Sequence, residues 1–481
     1  MKNVVPCEDD VMDIYRIQQL CLEEKKDCKE GSNGILKSLE VHPPTWPENV
    51  ACLIRGAQKL QDDSQLRVPV ARDSYLNCKI TSEEYNTDDL PWQNGCRVVG
   101  ALNERYRGRV VNVSNLTSLE IQKPKQEIVV DLEHDAEIFY EPGDAFYFVV
   151  PNIREEVDFI LERIGFLEAA NRKLVVTVKS QNAVKNTALP PYIPEVSTLR
   201  YIFTWCLDIR RSPGRAGLSL VDFLLNFPSC RPTVERLIEL LPRLLPRPYS
   251  VTCIRELWGK RTRFIFSLLH FTAAEGRCFH RFGLSSGWLA TLKKGQQVMM
   301  FLKESSRFRL PPPVHSSFDL VRTPLIMVCT GTALAPFLSF LQKLDFLEAE
   351  KYKVRRELYF GIRNVKDDCI HYEDIMRCVD ENILSHVSLC ESQPYDISSK
   401  KYVQDALQER GEKISNILSR KNEDENHPAI IFVCGSSKQM LKHVADVFVH
   451  IFSEFLHKSK EEAELYLREL RINDRYVEDI W

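Results

Sequence analysis

The stretch LIMVCTGTALAPF, residues 325–337, is a short apolar run that stops at small residues and reopens as an apolar segment of helical character. Two further runs, ELYFGIR (357–363) and AIIFVCG (429–435), follow it. Short, nearly continuous apolar runs suit parallel strands buried on both faces. The stretches between them are long enough for helical crossovers. The pattern predicts a doubly wound parallel α/β domain over residues 319–481, with a nucleotide at the carboxyl ends of its strands.

Upstream the periodicity changes. The β-branched runs RVVNV (109–113), EIVVDL (127–132) and AFYFVVP (145–151) read as antiparallel strands, with YEPGD (140–144) as a turn. Val157, Ile160, Leu161, Ile164 and Leu167 recur at helical spacing and predict a helix over 152–170. Further helices are expected at 196–210, 216–227 and 232–241. Strands return at SVTCI (250–254), RFIFSLLHF (263–271) and QQVMMFL (296–302). This order predicts an α+β domain over 66–318, an antiparallel β-barrel with a helical insertion at about 152–245. Residues 1–65 are polar and read as a linker-like segment.

The 481 residues suit two or three domains. A net charge of −3 from 64 basic and 67 acidic residues gives no nucleic-acid signature. The 15 cysteines include no Cys-x-x-Cys pair, so neither a structural metal site nor a secreted disulfide framework is indicated. No apolar run approaches the roughly 20 residues of a membrane span. A reduced, cytoplasmic protein is the simplest reading.

Two segments have the chemistry of a flavin site. In Arg247-Pro248-Tyr249-Ser250 a guanidinium can bind a diphosphate, an aromatic can stack on a flavin ring, and a hydroxyl can reach a ring nitrogen. Taken alone, these residue types also suit ordinary surface and packing. Gly283-Leu284-Ser285-Ser286 precedes an apolar helix, where backbone N–H groups and the helix dipole favour a pyrophosphate. Its plain alternative is a helix cap over a buried face.

RPYS, GLSSGWL (283–289), TGTALAPF (330–337), KYVQDAL (401–407), VCG (433–435) and YVEDIW (476–481) occur in this order. The set resembles the NADPH–cytochrome reductase-like part of the diflavin reductases, in the ferredoxin–NADP reductase superfamily. YIFTWCLDIR (201–210), LLNFPSCRP (224–232) and YEPGDAF narrow the resemblance within that family. It covers residues 125–481 and implies FAD and NADPH as cofactors. By this resemblance Arg247, Pro248, Tyr249 and Ser250 form the FAD strand, and Gly283, Leu284, Ser285 and Ser286 the pyrophosphate loop. Trp481 is the aromatic lid over the flavin. Ser250, Cys434 and Asp479 are the polar trio on the hydride path, though Cys434 also suits a buried structural thiol at a strand end.

The nucleotide side departs from the family pattern. Gly331 and Thr332 match its first loop, and Arg363 its second. Ala333 replaces a glycine, and its methyl either fits a helical backbone or crowds the ligand. Cys390-Glu391 stand where the family has Ser-Arg for the 2′-phosphate, and a carboxylate there favours a ribose hydroxyl over a phosphate. Lys400, Lys401, Tyr402, Val403 and Gln404 match the next 2′-phosphate segment. His443 and Ser436 replace acidic residues. Either the two lysines retain NADPH, or specificity has relaxed toward NADH, or the alignment is shifted by a few residues.

No strand with a phosphate loop occurs in residues 1–120, so FMN is not expected on this chain. The helical connecting region is also short. Electrons then leave to an acceptor protein or to a separate FMN- or flavodoxin-like partner, unless the sequence is a truncated one. The rival readings are another diflavin type, sulfite- or cytochrome-reductase-like, and a degenerate scaffold that keeps the fold without turnover.

Overall fold

The computed structural model describes residues 73–133, 139–179, 188–210, 219–272, 280–303, 307–310, 317–419 and 427–480. The segment 1–65 and Trp481 lie outside them. The chain divides into two compact units.

One unit holds the described residues among 73–99, 149–246 and 269–291. Its sheet runs Leu76–Glu84, Arg172–Val178, Val196–Ser197, all antiparallel. The helix expected over 152–170 is shorter, Arg154–Arg163. It stops because Gly165 takes φ +82°, a left-handed conformation that glycine adopts without steric penalty. Phe166 N–H then donates to Leu161 O at 2.8 Å and Gly165 N–H to Glu162 O at 3.0 Å, which closes the end. Val157, Ile160 and Leu161 of this helix are buried with Leu174, Val176, Phe203 and Leu237.

The segment 196–210 is more irregular than its apolar spacing predicts. After Val196–Ser197 comes one helical turn, Leu199–Tyr201, and then a wide π-helical turn, Ile202–Cys206. Asn152 supports the widened backbone. Its Nδ2 donates to Phe203 O at 2.7 Å and Leu207 O at 2.6 Å, and its N–H to Thr204 O at 2.9 Å. Short helices follow at Leu220–Asn226, with a Ser219/Asp222 capping box, and at Val234–Leu240, capped by Thr233.

The other unit holds residues 100–148, 247–268 and 292 onward. It begins with six antiparallel strands: β1 (Ala101–Asn115), β2 (Lys125–Leu132), β3 (Ala145–Phe148), β4 (Arg247–Ser250), β5 (Arg261–Ser267) and β6 (Gln297–Lys303). Their order is β4-β3-β6-β1-β2-β5. The outer strands then meet through a Val251–Phe264 bridge and a 2.9 Å bond from Thr252 N–H to Arg263 O. The sheet is thereby closed into a barrel, which removes its free edges. Phe146, Phe148 and Phe264 fill the interior, with edge-on ring contacts of 5.8 and 5.0 Å to Phe264. The YEPGD turn forms, with Asp144 N–H bonded to Glu141 O at 3.0 Å and the Asp144 carboxylate held by the Arg309 fork.

Five parallel strands follow: β7 (Leu325–Thr330), β8 (Arg356–Ile362), β9 (His386–Glu391), β10 (Ile430–Gly435) and β11 (Tyr476–Ile480). Their order is β9-β8-β7-β10-β11. The three apolar runs read from the sequence are its central strands. Alternate residues of β7 enter different cores: Leu325, Met327 and Cys329 one, Ile326 and Val328 the other. Helices α1 (Ala335–Phe346), α2 (Val365–Asp368), α3 (Tyr372–Asp380), α4 (Val403–Glu409), α5 (Gly411–Ser419), α6 (Lys438–Phe455) and α7 (Lys460–Ile472) complete the domain. Phe337 and Phe340 of α1 and Ile375 of α3 pack on the first core; Leu407, Ile414, Phe448 and Leu467 pack on the second. The sheet is therefore covered on both faces, as the continuous apolar runs require. Among the described residues no helix is long and apolar enough to cross a membrane.

Candidate active site

The strand order reverses between β7 and β10, and ligands of such sheets bind beyond the carboxyl ends of the strands at that point. Gly331 follows β7 with φ +57°, and a Cβ placed there would meet nothing nearer than the Lys125 Cε at 3.8 Å. The turn Gly331–Leu334 leads into α1. Its open glycine at the start of a helical segment fits a dinucleotide phosphate. Ala333 is fully buried in the core below. Its methyl therefore faces the core, and the crowding alternative falls. Thr332 is also buried, with its hydroxyl 3.4 Å from that of Ser267 at the end of β5.

Cys434 lies in β10, in register with Cys329 of β7 on one side and Asp479 of β11 on the other. Both thiols are fully buried. Burial raises the Cys329 thiol well above its ordinary value, and Cys434 adds to the effect. Burial also raises the Asp479 carboxyl, against an opposing pull from Lys303. The structure thus brings Cys434 and Asp479 to adjacent positions. Ser250, the third member of the expected trio, ends β4 and pairs with Ala145 of β3. Trp481 is outside the described residues.

On the flavin side, Arg247, Pro248, Tyr249 and Ser250 are all half-buried on β4. Tyr249 meets Phe148 and Phe266 edge-on at 5.6 and 6.2 Å, which fixes its ring. Pro248, with no N–H to donate, stands on the outer strand of the sheet order. In the other compact unit, Gly283 opens the helix Leu284–Thr291. Gly283 N–H donates to Leu269 O at 2.8 Å, and Ser286 Oγ accepts from Leu269 N–H at 3.1 Å. The Ser286 hydroxyl oxygen thus helps to hold this turn. Ser285 is buried and Leu284 half-buried.

The remaining nucleotide-side residues divide in two. Cys390 and Val403 are buried in the second core, and burial pushes the Cys390 thiol up to about 12. Their side chains pack inward, so only their backbone can meet a ligand. Glu391 accepts from Val365 N–H, the first of α2, at 2.6 Å, while Asn364 caps the helix through Lys366 N–H and Asp367 N–H. Arg363 N–H donates to Asp368 at 3.0 Å. Lys401 pairs with Glu409, whereas the exposed Lys400 ammonium sits 5.2 Å over the Tyr402 ring. Tyr402 and His443 are exposed, and Gln404 is half-buried. Ser436 is exposed just before α6.

Sequence reasoning missed a row of charges on β2. Lys125 is paired with Asp368, with 4% and 6% of the side chains exposed. Burial pulls the Lys125 ammonium down, while Asp368 opposes this. Two residues along, Glu127 lies 3.4 Å from His371 and 3.5 Å from Arg263. His371 also contacts Asp374 at 2.8 Å. Burial disfavours the charged ring, but Asp374 and Glu127 outweigh it and hold its pKa above the ordinary 6.5. Lys125 and Asp368 are 243 residues apart, so no local pattern marks the pair.

A closed antiparallel barrel followed by a doubly wound parallel sheet, with an open glycine at the switch point, defines an oxidoreductase of the ferredoxin–NADP reductase type. The Oxidoreductase NAD-binding domain family matches residues 327–446. Methionine synthase reductase of Caenorhabditis elegans is 34% identical over 96% of this chain and 72% of its own length, and the chain belongs to the methionine synthase reductase family. The Homo sapiens protein of that name is 30% identical over 74% of this chain and 58% of its own length. The sulfite reductase (NADPH) flavoprotein alpha-component of Photobacterium profundum is 26% identical over 78% of this chain and 60% of its own length. The chain is thus a flavin-dependent reductase that binds FAD and NADP(H).

Proposed function

We propose that this chain takes hydride from NADPH onto FAD and passes electrons toward methionine synthase, supporting reductive reactivation of its cobalamin. The observation that carries this reading is the Cys329–Cys434–Asp479 row beside the open Gly331, in one compact unit with the RPYS strand. We assign the FAD module to residues 66–318, with its helical insertion at about 152–245, and the nucleotide module to 319–481. The bound cofactors supply the hydride and one-electron chemistry. The protein supplies orientation and charge. Arg247 would hold the flavin diphosphate and Tyr249 would support the ring system; in the loop at Gly283, whose own N–H is taken by Leu269 O, the N–H groups of Leu284 to Ser286 would serve as donors. Gly331, Thr332 and Arg363 hold the dinucleotide diphosphate. Ser250, Cys434 and Asp479 flank the hydride path, and Trp481 covers the flavin. The outlet for electrons is an acceptor protein such as methionine synthase, reached through an FMN- or flavodoxin-like module.

NADPH is preferred over NADH because Glu391 is engaged by Val365 N–H while Lys400 stays exposed beside Tyr402. Anaerobic mixing of the FAD-loaded protein with each dinucleotide tests both points. NADPH is expected to bleach the flavin absorbance and to support ferricyanide reduction; no bleaching by either dinucleotide overturns the reading. Glu391→Gln keeps an acceptor for Val365 N–H and removes the charge. NADPH affinity should rise roughly three- to tenfold, with NADH little changed. A large loss of NADH affinity would instead place Glu391 on a ribose hydroxyl.

A further inference from the structure

The Lys125–Asp368 pair is buried beside the open Gly331. Helix α2 is one turn long and is held by polar contacts at each step. Glu391 takes the Val365 N–H at 2.6 Å, the Tyr395 hydroxyl donates to Asp367 at 2.6 Å, and Asp368 takes the Arg363 N–H at 3.0 Å. Asp368 also neutralises Lys125, whose Cε is 3.8 Å from the Cβ position of Gly331. A buried ammonium needs a counter-charge, and here a carboxylate of the chain supplies it.

We infer that Asp368 is an internal substitute for the dinucleotide diphosphate, holding Lys125 until a diphosphate settles on Gly331 and displaces it. The inference rests on the reading of Gly331 as a dinucleotide site. Diphosphate and carboxylate compete for one cation, because both cannot approach a single ammonium without mutual repulsion. Part of the diphosphate's attraction is thus used to break the existing pair, and Asp368 keeps the affinity lower than Lys125 alone would give. The released carboxylate is bonded to the Arg363 N–H, so the exchange also reaches the second loop, where Arg363 stands. A purely structural pair would have no such competitor.

The test uses the FAD-loaded chain and NADP+ as the probe, with binding measured by calorimetry and melting measured with and without NADP+. Asp368→Asn should bind NADP+ about tenfold more tightly and Lys125→Met about tenfold more weakly. The double variant should match Lys125→Met, because without the cation Asp368 has nothing to withhold. NADP+ should raise the melting temperature of Asp368→Asn more than that of the parent. If Asp368→Asn folds only with NADP+ present, that too supports the exchange. Destabilisation without tighter binding would show a structural bolt and overturn it. Absence of NADP+ binding by the parent protein overturns the dinucleotide reading together with this one. Normal binding by the parent, without tightening in Asp368→Asn, overturns the exchange alone.

Discussion

The two ends of the parallel sheet both bury a cation, and they neutralise it differently. At the amino end Arg356 opens β8 fully buried. Its guanidinium meets backbone carbonyls: Nη1 donates to Ala349 O at 3.4 Å and Ile383 O at 3.5 Å, and Nη2 to Val321 O. Burial pulls it down to about 10, so it remains charged at neutral pH. At the carboxyl end Lys125 meets the carboxylate of Asp368. Carbonyls fixed in the backbone cannot leave, whereas a carboxylate on a one-turn helix can be exchanged for a ligand phosphate. The first end is built for stability and the second for binding.

The amino end offers the largest expected effect. Arg356→Ala leaves the carbonyls of Val321, Ala349 and Ile383 short of a donor and opens a cavity. Urea unfolding should show a loss of about 3–5 kcal/mol. Dinucleotide affinity of the folded protein should not change, because Arg356 lies at the end of β8 away from Gly331. A variant with normal stability and weakened dinucleotide binding would break the contrast.

The carboxyl end carries a smaller effect, linked to pH. His371 holds its proton more tightly in the folded state, through Asp374 and Glu127. Its contribution is therefore complete below the unfolded pKa near 6.5 and is lost as pH rises through the higher folded value. Asp374 behaves oppositely: His371 lowers its carboxyl below 3.8, so its share is present above 3.8 and is lost as pH falls through the lowered value. Arg263 also faces this cluster and opposes the ring's charge. His371→Gln should remove about 1–2 kcal/mol at pH 6, a figure kept low because Asp374 is largely exposed. The difference from the parent should shrink at alkaline pH. A pH-independent difference would show that the ring acts by shape alone.

What the sequence discloses follows the range of the physics. The parallel strands were legible because burial on both faces leaves near-continuous apolar runs, as in LIMVC and AIIFVCG. The turn at YEPGD was legible because proline and glycine act locally. The helix end at Gly165 was also a local signal, passed over by the reading of 152–170, whereas the π-turn at Ile202–Cys206 was not legible, since it depends on Asn152, about 50 residues upstream. The order of elements implied a barrel, but the Val251–Phe264 bridge that closes it leaves no mark in either segment. At the site, Gly331 and Cys434 stand in short ordered motifs, so residue type and order found them. Lys125 and Asp368 sit in ordinary charged stretches, and only the folded chain brings them together.

Ala333 gives the smallest expected effect and sharpens the same contrast. The sequence left open whether its methyl crowds the ligand. The structure turns the methyl into the first core, among residues such as Leu334 and Phe337, while Gly331, two residues earlier, keeps the open side. The short turn therefore has a binding face and a packing face, and the departure from glycine falls on the packing face. Ala333→Gly should then leave NADP+ affinity within about twofold, a change in binding free energy under roughly 0.5 kcal/mol. Its cost should appear in stability instead, about 0.5–1 kcal/mol from added backbone freedom. Calorimetric binding and urea unfolding on the same variant separate the two. A gain in affinity of tenfold or more would mean that residue 333 reaches the ligand after all, and that the packing face of the turn ends before it.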